Sequence, residues 1–421
     1  MVIILMFLLV ALGVPVTFSL GLASLWFFVQ NNVPMVSFAQ KFVVATDSFS
    51  LISLPFFILA GNLMNTGGVT RRLFDFCDSL FGHIRGGLCY VTVVSSTIFS
   101  AISGSALANA AGLGAMQIKA MTDRGYPKEF TTSLVTTASV LGPIIPPSIL
   151  MIIYGVTAGV SIQRQFVGGI IPGLIYAGFC CIYSFYYAKK YNLSVGNKFS
   201  FKRAVHEFGQ AIWALLAPAI ILVGILTGVF TATESGAVAC VYVVIVAMFI
   251  YKELTLKQLI KCLLDSAKTT GTILLIAATA SVLGFCLTYS KLPQKLATSM
   301  TASIHSTVVM MLIFTLIYLF LGTMMEGAAI ILTTVPIFVG ICNQMNIDLV
   351  YFGVFISVLL SIATVTPPVG TVMFVICKNN GMTIGQYTKN MLPWFGLMVV
   401  VCVLIAVFPV LTTFLPNLLY N

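Results

Sequence analysis

Gly142-Pro143-Ile144-Ile145-Pro146-Pro147 and Thr364-Val365-Thr366-Pro367-Pro368 are two double-proline breaks inside otherwise apolar runs. A small, glycine-containing turn between two apolar arms precedes each: Ser103-Gly104-Ser105 before the first, Glu326-Gly327-Ala328 before the second. Proline removes a backbone donor and breaks the helical ladder, so each pair frees carbonyl acceptors upstream. In lipid, such freed groups are tolerated only where protein or a water-filled cavity covers them. Two matching interruptions, one in each half of a chain, are the pattern expected of a transport site.

Composition supports a membrane setting. The chain has 421 residues, 59% hydrophobic and only 8% charged, against about 25% charged in soluble domains. Its apolar runs exceed the ~20 residues a spanning helix needs, and none alternates with period two, so helices rather than a barrel are implied. Residues 1–29 lack a basic start and are too long for a signal peptide, and are expected to be a first span. The formal charge of +10 would point to nucleic acid in a soluble protein. Here basic residues anchoring loops on the cytoplasmic side explain it, and no nucleic-acid partner follows. Ten cysteines without CxxC spacing fit membrane thiols rather than disulfides or a metal centre.

Spans are expected at 1–29, 42–64, 128–158, 164–188, 208–228, 233–251, 266–289, 350–377 and 388–414. Two longer segments, 88–123 and 304–344, are interrupted centrally by glycine, and their arms are too short to cross a ~30 Å core comfortably. Both are read as re-entrant helical hairpins. With the N-terminus in the cytoplasm, 17 Lys and Arg residues fall inside, and only Lys41, Arg164, Lys291 and Lys295 fall outside, the bias expected of a correct orientation. The first hairpin then enters from the cytoplasm and the second from outside, where the C-terminus also lies. A shift of 223 residues aligns Gly61 with Gly284, Gly104 with Gly327 and Ala106 with Ala329; a shift of 221 aligns the two proline pairs. Order, spacing and opposite orientation together predict an all-α polytopic protein with an inverted repeat. Residues 1–188 form its first half, 189–207 a cytoplasmic linker, and 208–421 its second half. Residues 252–268 read as a short amphipathic helix on the inner surface.

Candidate ligands cluster at the turns and breaks. Ser103, Ser105, Asn109 and the carbonyls of Gly142, Pro143 and Pro146 offer oxygens suited to a small hard cation such as Na⁺. Glu326, Gly327, Thr364, Thr366 and Pro367 offer a matching second set. Ser105, Ala328, Pro147 and Pro368 are the candidates for substrate contact. Among the acidic residues only Glu234 and Glu326 sit at breaks between long apolar segments, where a charge is costly and therefore a functional candidate. Glu234, in Thr231-Ala232-Thr233-Glu234-Ser235, is expected to cap a helix. Glu326 would either neighbour a bound cation or hold the turn's backbone donors. Thr132, Thr136 and Ser139 share a helical face and either line a wet path or pack helices closely. Asn62 and Asn65 read as interhelical glue. The three histidines have no acid or nucleophile at a motif spacing, and HExxH is missing, so an enzyme is not expected.

These blocks, with DSFSLISLPFFILAGNLMNTGG, SGSALANAAGLGAM, GPIIPPSILMIIYG, FTATESGAVACVY, GTMMEGAAIILTTVPIF and TPPVG in order, make the chain resemble the large membrane (DctM-like) subunit of tripartite ATP-independent periplasmic (TRAP) transporters. The resemblance implies a bacterial inner-membrane importer of organic acid anions such as a C4-dicarboxylate, a sialic acid or a sugar acid. It also implies coupling to two Na⁺ ions and an elevator-like fold with no organic cofactor. The expected partners are a small membrane subunit, here a separate chain, and a periplasmic substrate-binding protein. By resemblance the first Na⁺ site maps to Ser103, Ser105, Asn109 and Gly142–Pro147, the second to Glu326–Ala328 and Thr364–Pro368. Relatives often carry Asp where this chain has Glu326. A symporter needing no binding protein and a passive anion channel are the rival readings.

Overall fold

A computed structural model describes residues 2–196, 198–367 and 370–420; Pro368 thus lies outside the described residues. Apart from one isolated bridge between Arg85 and Val195, the described residues with regular structure are helical. The expected first span is two helices, α1 (Val2–Ala11) and α2 (Val16–Gln30). Gly13 turns at a φ of +85° and Pro15 opens α2, because proline cannot continue the ladder of α1. The expected 42–64 span is likewise divided: α3 (Met35–Val44) ends before a 3-10 turn, Phe49–Ile52, and α4 (Ser53–Thr66) begins after it. Thr46, Asp47 and Ser48 prefer local hydrogen bonds to helix, and the Thr46 hydroxyl donates to the Val43 carbonyl at 2.8 Å. After a 68° bend α5 (Val69–Phe81) follows, with Gly68 in the left-handed region at +73°.

The first interrupted segment comprises α6 (Gly87–Ser103), α7 (Ala106–Asn109), a π-helical turn (Ala110–Gly114) and α8 (Ala115–Asp123). The arms run antiparallel. Asn109 donates its amide to the Ser96 carbonyl and Ser100 Oγ, while Gln117 reaches back to the Thr92 carbonyl and Ser95 Oγ. The broken helix follows as α9 (Lys128–Ser139), nine residues without regular helix, and α10 (Ile149–Ala158). Helix α11 (Ile162–Lys190) closes the first half, and residues 191–200 connect it to α12 (Phe201–Leu226). Residues 201–207 of the expected linker therefore open a helix, capped by Ser200.

Helix α13 (Ala232–Ile245) starts with a capping box in which Thr231 and Glu234 bond reciprocally, the structural role expected of Glu234. One continuous helix, α14 (Leu256–Tyr289), replaces the expected surface helix at 252–268 followed by a span. Thr255 and Gln258 form its capping box, and no proline interrupts 256–289, so nothing stops propagation. Helix α15 (Leu292–Ser303) leads to the second interrupted segment, α16 (Thr307–Gly322) and α17 (Gly327–Gln344). Its arms also run antiparallel: Tyr318 pairs with Thr334 at 2.8 Å, and the Phe314 ring packs tilted against Phe338. The second broken helix is α18 (Leu349–Ala363) and α19 (Thr371–Asn380). The expected 388–414 span becomes α20 (Ile384–Val407) and α21 (Val410–Tyr420), separated at Pro409.

Among the described residues six helices are long and apolar enough to cross a membrane, or seven if the bent α4–α5 pair is one span. The order antiparallel helix pair, interrupted helix, long helix occurs twice along the described residues. Helix α4 packs along α13 and α14, and α14 also lies on α2 and α17, so the central long helix touches elements of both halves. Large apolar side chains such as Ile4, Leu12, Leu316 and Phe320 are exposed on the outer face, a surface suited to lipid.

Candidate functional site

The two turns and the two breaks border one cavity of about 350 Å³. The first turn contributes Ser103 to Ala108 and the first break Pro143, Ile149 and Leu150. The second turn contributes Glu326, Gly327 and Ala328, and the second break Thr364 and Thr371. The remaining wall is α4, through Ile58, Gly61, Asn62 and Asn65, and α14, through Thr269 and Ile273.

Local sequence explains how each turn reaches this place. Gly104 ends α6 with a φ of +59°, which only glycine adopts cheaply. A side chain there would also meet the Pro147 carbonyl oxygen at 2.5 Å. Gly142 in turn sits against the Ser105 backbone, 2.5 Å from where its own Cβ would be. Turn and break are thus pressed backbone to backbone, with the Ile149 amide donating to the Gly104 carbonyl. Ser148 braces the break by donating to the Pro143 carbonyl and capping α10 through the Met151 amide.

Of the sodium candidates, Ser103, Ser105, Pro143, Glu326, Gly327 and Thr364 reach the cavity, as does Ala328 from the substrate set. Gly142, Pro146 and Pro147 are buried behind it. Asn109 is buried too, with its amide committed to α6. Ser103 Oγ is buried and has no hydrogen-bond partner among the described residues, an unmet polar group that a cation would satisfy. In the second break, a methyl placed on Gly370 would meet the Thr364 and Thr366 carbonyl oxygens at 2.7 and 2.8 Å. Two oxygens converging on one small space are what a hard cation needs. The Thr364 and Thr366 hydroxyls themselves donate to the Ser361 and Ala363 carbonyls. Pro367 is half-buried beside them. Glu326 precedes α17 without capping it and makes no ion pair among the described residues. Its side chain is exposed to the cavity.

Among the described residues, no Lys, Arg or His lines the cavity. Helix ends do: the first residues of α10 (Ile149, Leu150), α17 (Gly327, Ala328) and α19 (Thr371) all border it. Each N-terminus carries roughly half a positive charge and unpaired backbone donors, a setting that favours a carboxylate.

Sequence reasoning missed the α4–α14 wall. Asn62 is interhelical glue, donating to Ser266 Oγ at 2.8 Å, yet it also lines the cavity. Asn65 donates weakly to the Ala108 carbonyl at 3.4 Å, and its Oδ1 is buried against Gly112 without a hydrogen-bond partner among the described residues. Their three-residue spacing was the available signal, but it is shared with packing residues. The threonine run resolves toward packing: Thr132, Thr136 and Ser139 are buried and bonded to their own helix.

The family described as "Tripartite ATP-independent periplasmic transporter, DctM component" matches residues 3–411. The chain is 38% identical over 409 residues to the Haemophilus influenzae sialic acid TRAP transporter permease SiaT, covering 97% of this chain but 66% of that longer protein. With the Vibrio cholerae sialic acid large permease SiaM it shares 37% identity, covering 96% and 95% of the two chains. The Pseudomonas aeruginosa C4-dicarboxylate large permease DctM is 36% identical, with 90% and 89% covered. Among solved structures, the Alcanivorax borkumensis YdaH transporter superposes with a TM-score of 0.61 at 15% identity, covering 88% of this chain and 87% of that one. The Neisseria gonorrhoeae efflux pump MtrF gives 0.61 at 13%, covering 89% and 83%. At those identities the likeness is one of fold. The match across nearly the whole chain, to a family whose named relatives are multi-pass permeases rather than enzymes, is decisive: the chain belongs to the DctM component of the TRAP transporters.

Proposed function

We propose that this chain is the large permease subunit of a binding-protein-dependent, Na⁺-coupled importer of an organic acid anion in a bacterial inner membrane. The observation that carries this reading is the shared cavity, where both turns, both breaks and three helix N-termini meet without a cationic side chain. The helix ends receive the carboxylate. One Na⁺ sits at Ser103, Ser105 and the break at Gly142–Pro146, with Asn109 holding the turn. The other sits at the Thr364 and Thr366 carbonyls, beside Gly327, Pro367 and Glu326. Two sodium ions moving down ~100 mV and a tenfold gradient release roughly 7 kcal/mol, enough to accumulate a monoanion steeply.

The antiparallel arms act as re-entrant hairpins, and the two halves are an inverted repeat with the N-terminus in the cytoplasm. Hairpins and broken helices move together against the α4–α14 wall as an elevator. The partners are a small membrane subunit and a periplasmic substrate-binding protein, after the organisation for which the family is named.

Reconstitution tests this directly. In proteoliposomes holding both membrane subunits, an inward sodium gradient should drive accumulation only when the loaded binding protein is supplied. Accumulation without binding protein would favour an autonomous symporter. Flux indifferent to sodium would favour a channel. Either result would overturn the proposal.

A further inference from the structure

The wall of the cavity is joined to each hairpin through a matching elbow, and only one of the two elbows is fastened. Helix α4 ends at Thr66 and α5 begins at Val69; 223 residues on, α14 ends at Tyr289 and α15 begins at Leu292. Gly68 and Lys291, at the corners, are also 223 apart and both left-handed, with φ of +73° and +52°. Each elbow leads from a wall helix, α4 or α14, to a helix that packs on a hairpin: α5 along α6, α15 along α17.

The first elbow is clasped by the turn that enters α14. The Arg72 guanidinium donates to the Gly68 carbonyl at 2.9 Å, pairs with the Glu253 carboxylate at 2.8 Å and lies 3.7 Å from the centre of the Tyr251 ring. The Glu253 carboxylate fills the space that a side chain at Gly68 would need. Tyr251 is itself anchored, donating to the Gln210 carbonyl at 2.9 Å. Helix α5 is in turn tied to the base of the first hairpin. Asp78 accepts two bonds from Arg124, at 2.9 and 3.0 Å, and one from Arg203 of α12 at 2.8 Å. At the second elbow the residue 223 after Arg72 is Lys295. Lys291 and Lys295 are both exposed, and neither makes an ion pair among the described residues.

We infer that Arg72, Tyr251 and Glu253 form a latch that holds the first hairpin against the α4–α14 wall in the conformation described here, and that the second elbow is the free joint of the pair. The inference rests on the moving-hairpin reading above. The clasp spans the two parts which that reading sets in relative motion, since Arg72 belongs to α5 and Glu253 to the chain entering α14. The conformation held is the one open to the cytoplasm. Leu107 and Ala111 line the cavity, and Ala115 and Lys119 continue the same exposed face at four-residue steps, toward the end that the charge bias places inside. A sheltered pair backed by a ring outweighs an exposed one. The Arg72 side chain is 19% exposed, against 75% for Arg71 in its neighbouring pair with Asp75.

The test uses the permease with its small subunit in lipid nanodiscs, spin-labelled at two exposed positions, Ala115→Cys on the hairpin and Leu264→Cys on the wall. Cys181→Ser removes the one native cysteine that is not buried. Pulsed electron resonance then reads the populations of the two separations. Arg72→Gln and Glu253→Gln should each lower the ratio of the described population to the other about five- to tenfold. Tyr251→Leu, which removes the ring but keeps the pair, should lower it about two- to fivefold. Lys295→Gln at the second elbow and Arg71→Gln at the exposed pair should each move it less than about twofold.

A ratio unmoved by Arg72→Gln and Glu253→Gln overturns the latch. A shift as large from Lys295→Gln overturns the distinction between the elbows. Should Arg72→Gln fail to fold, Glu253→Gln, the smaller change, decides alone. Sodium-driven uptake by the unaltered protein separates the two layers. If it is missing while the ratio shifts, the coupling reading fails and the latch stands; if it is present while the ratio is unmoved, the latch alone fails.

Discussion

The first turn-and-break pair and the second occupy matching places around one cavity, but different forces hold them. In the first, backbone lies directly on backbone: Gly104 against Pro147, Gly142 against Ser105. All nine residues of its break are buried, and local bonds brace it. The second pair is looser and carries charge. Its turn glycine, Gly327, faces side chains rather than backbone, Leu150 at 3.2 Å and Leu360 at 3.5 Å from an added Cβ, and its neighbour Glu326 projects a carboxylate into the cavity. One turn is set by backbone contact and the other carries a carboxylate at the cavity, although their sequences look like copies.

The sharpest way to break that contrast is to add the same methyl to both turns. Gly104→Ala should be nearly inactive. It forces a left-handed φ, which costs about 1–2 kcal/mol, and drives a Cβ into a carbonyl oxygen that has no room to retreat. Gly327→Ala meets the end of a flexible leucine and should cost under about 1.5 kcal/mol, with most uptake retained. Sodium-driven uptake and thermal melting of the purified variants check both. Equal damage at the two positions would mean the second turn is as tightly wedged as the first.

A smaller difference is expected in sodium affinity. Ser103 Oγ is buried and free of partners, whereas the Thr366 hydroxyl already donates to the Ala363 carbonyl at 2.9 Å. Ser103→Ala should therefore raise the sodium concentration for half-maximal uptake about fivefold, the loss of roughly 1 kcal/mol. Thr366→Ala should raise it only about twofold, because there the backbone carbonyl is the stronger ligand. The reverse order would place the ion on the hydroxyl and not on the converging carbonyls near Gly370.

How much of this was legible in the sequence depended on the kind of signal. Double prolines have one physical consequence, a broken ladder, and the turns at 103–105 and 326–328 could be placed beside them from spacing alone. Single prolines were harder to weigh. Pro15 and Pro409 stand in the gaps between helices, whereas Pro172, Pro218 and Pro393 lie inside them, because neighbouring helices can re-satisfy a freed carbonyl in the second case. The continuous α14 was missed because charged residues in its first turns resemble a surface helix, while the absence of any breaker was the better guide. Asn65 was missed for a deeper reason. Whether an amide on a helix faces a neighbour or a cavity is decided by tertiary packing, and residues three apart look the same in both cases.

The least dramatic test concerns how each break is tied down. The first is held locally, by Ser148 five residues from the carbonyl it bonds. The second is held from afar: Tyr387 on α20, itself fully buried, donates to the Val365 carbonyl at 2.7 Å. Tyr387→Phe keeps the ring packing and leaves that carbonyl without its donor, so it should lower stability by about 1–3 kcal/mol. Sodium half-saturation should stay nearly unchanged if Thr364 and Thr366 keep their own positions, which the bond from the Val372 amide to the Thr364 carbonyl helps to fix. Should the sodium requirement instead rise as far as in Ser103→Ala, α20 would be setting the geometry of the second site. The second half would then owe its ion affinity to distant packing and the first to its own chain, a sharper asymmetry than charge against shape.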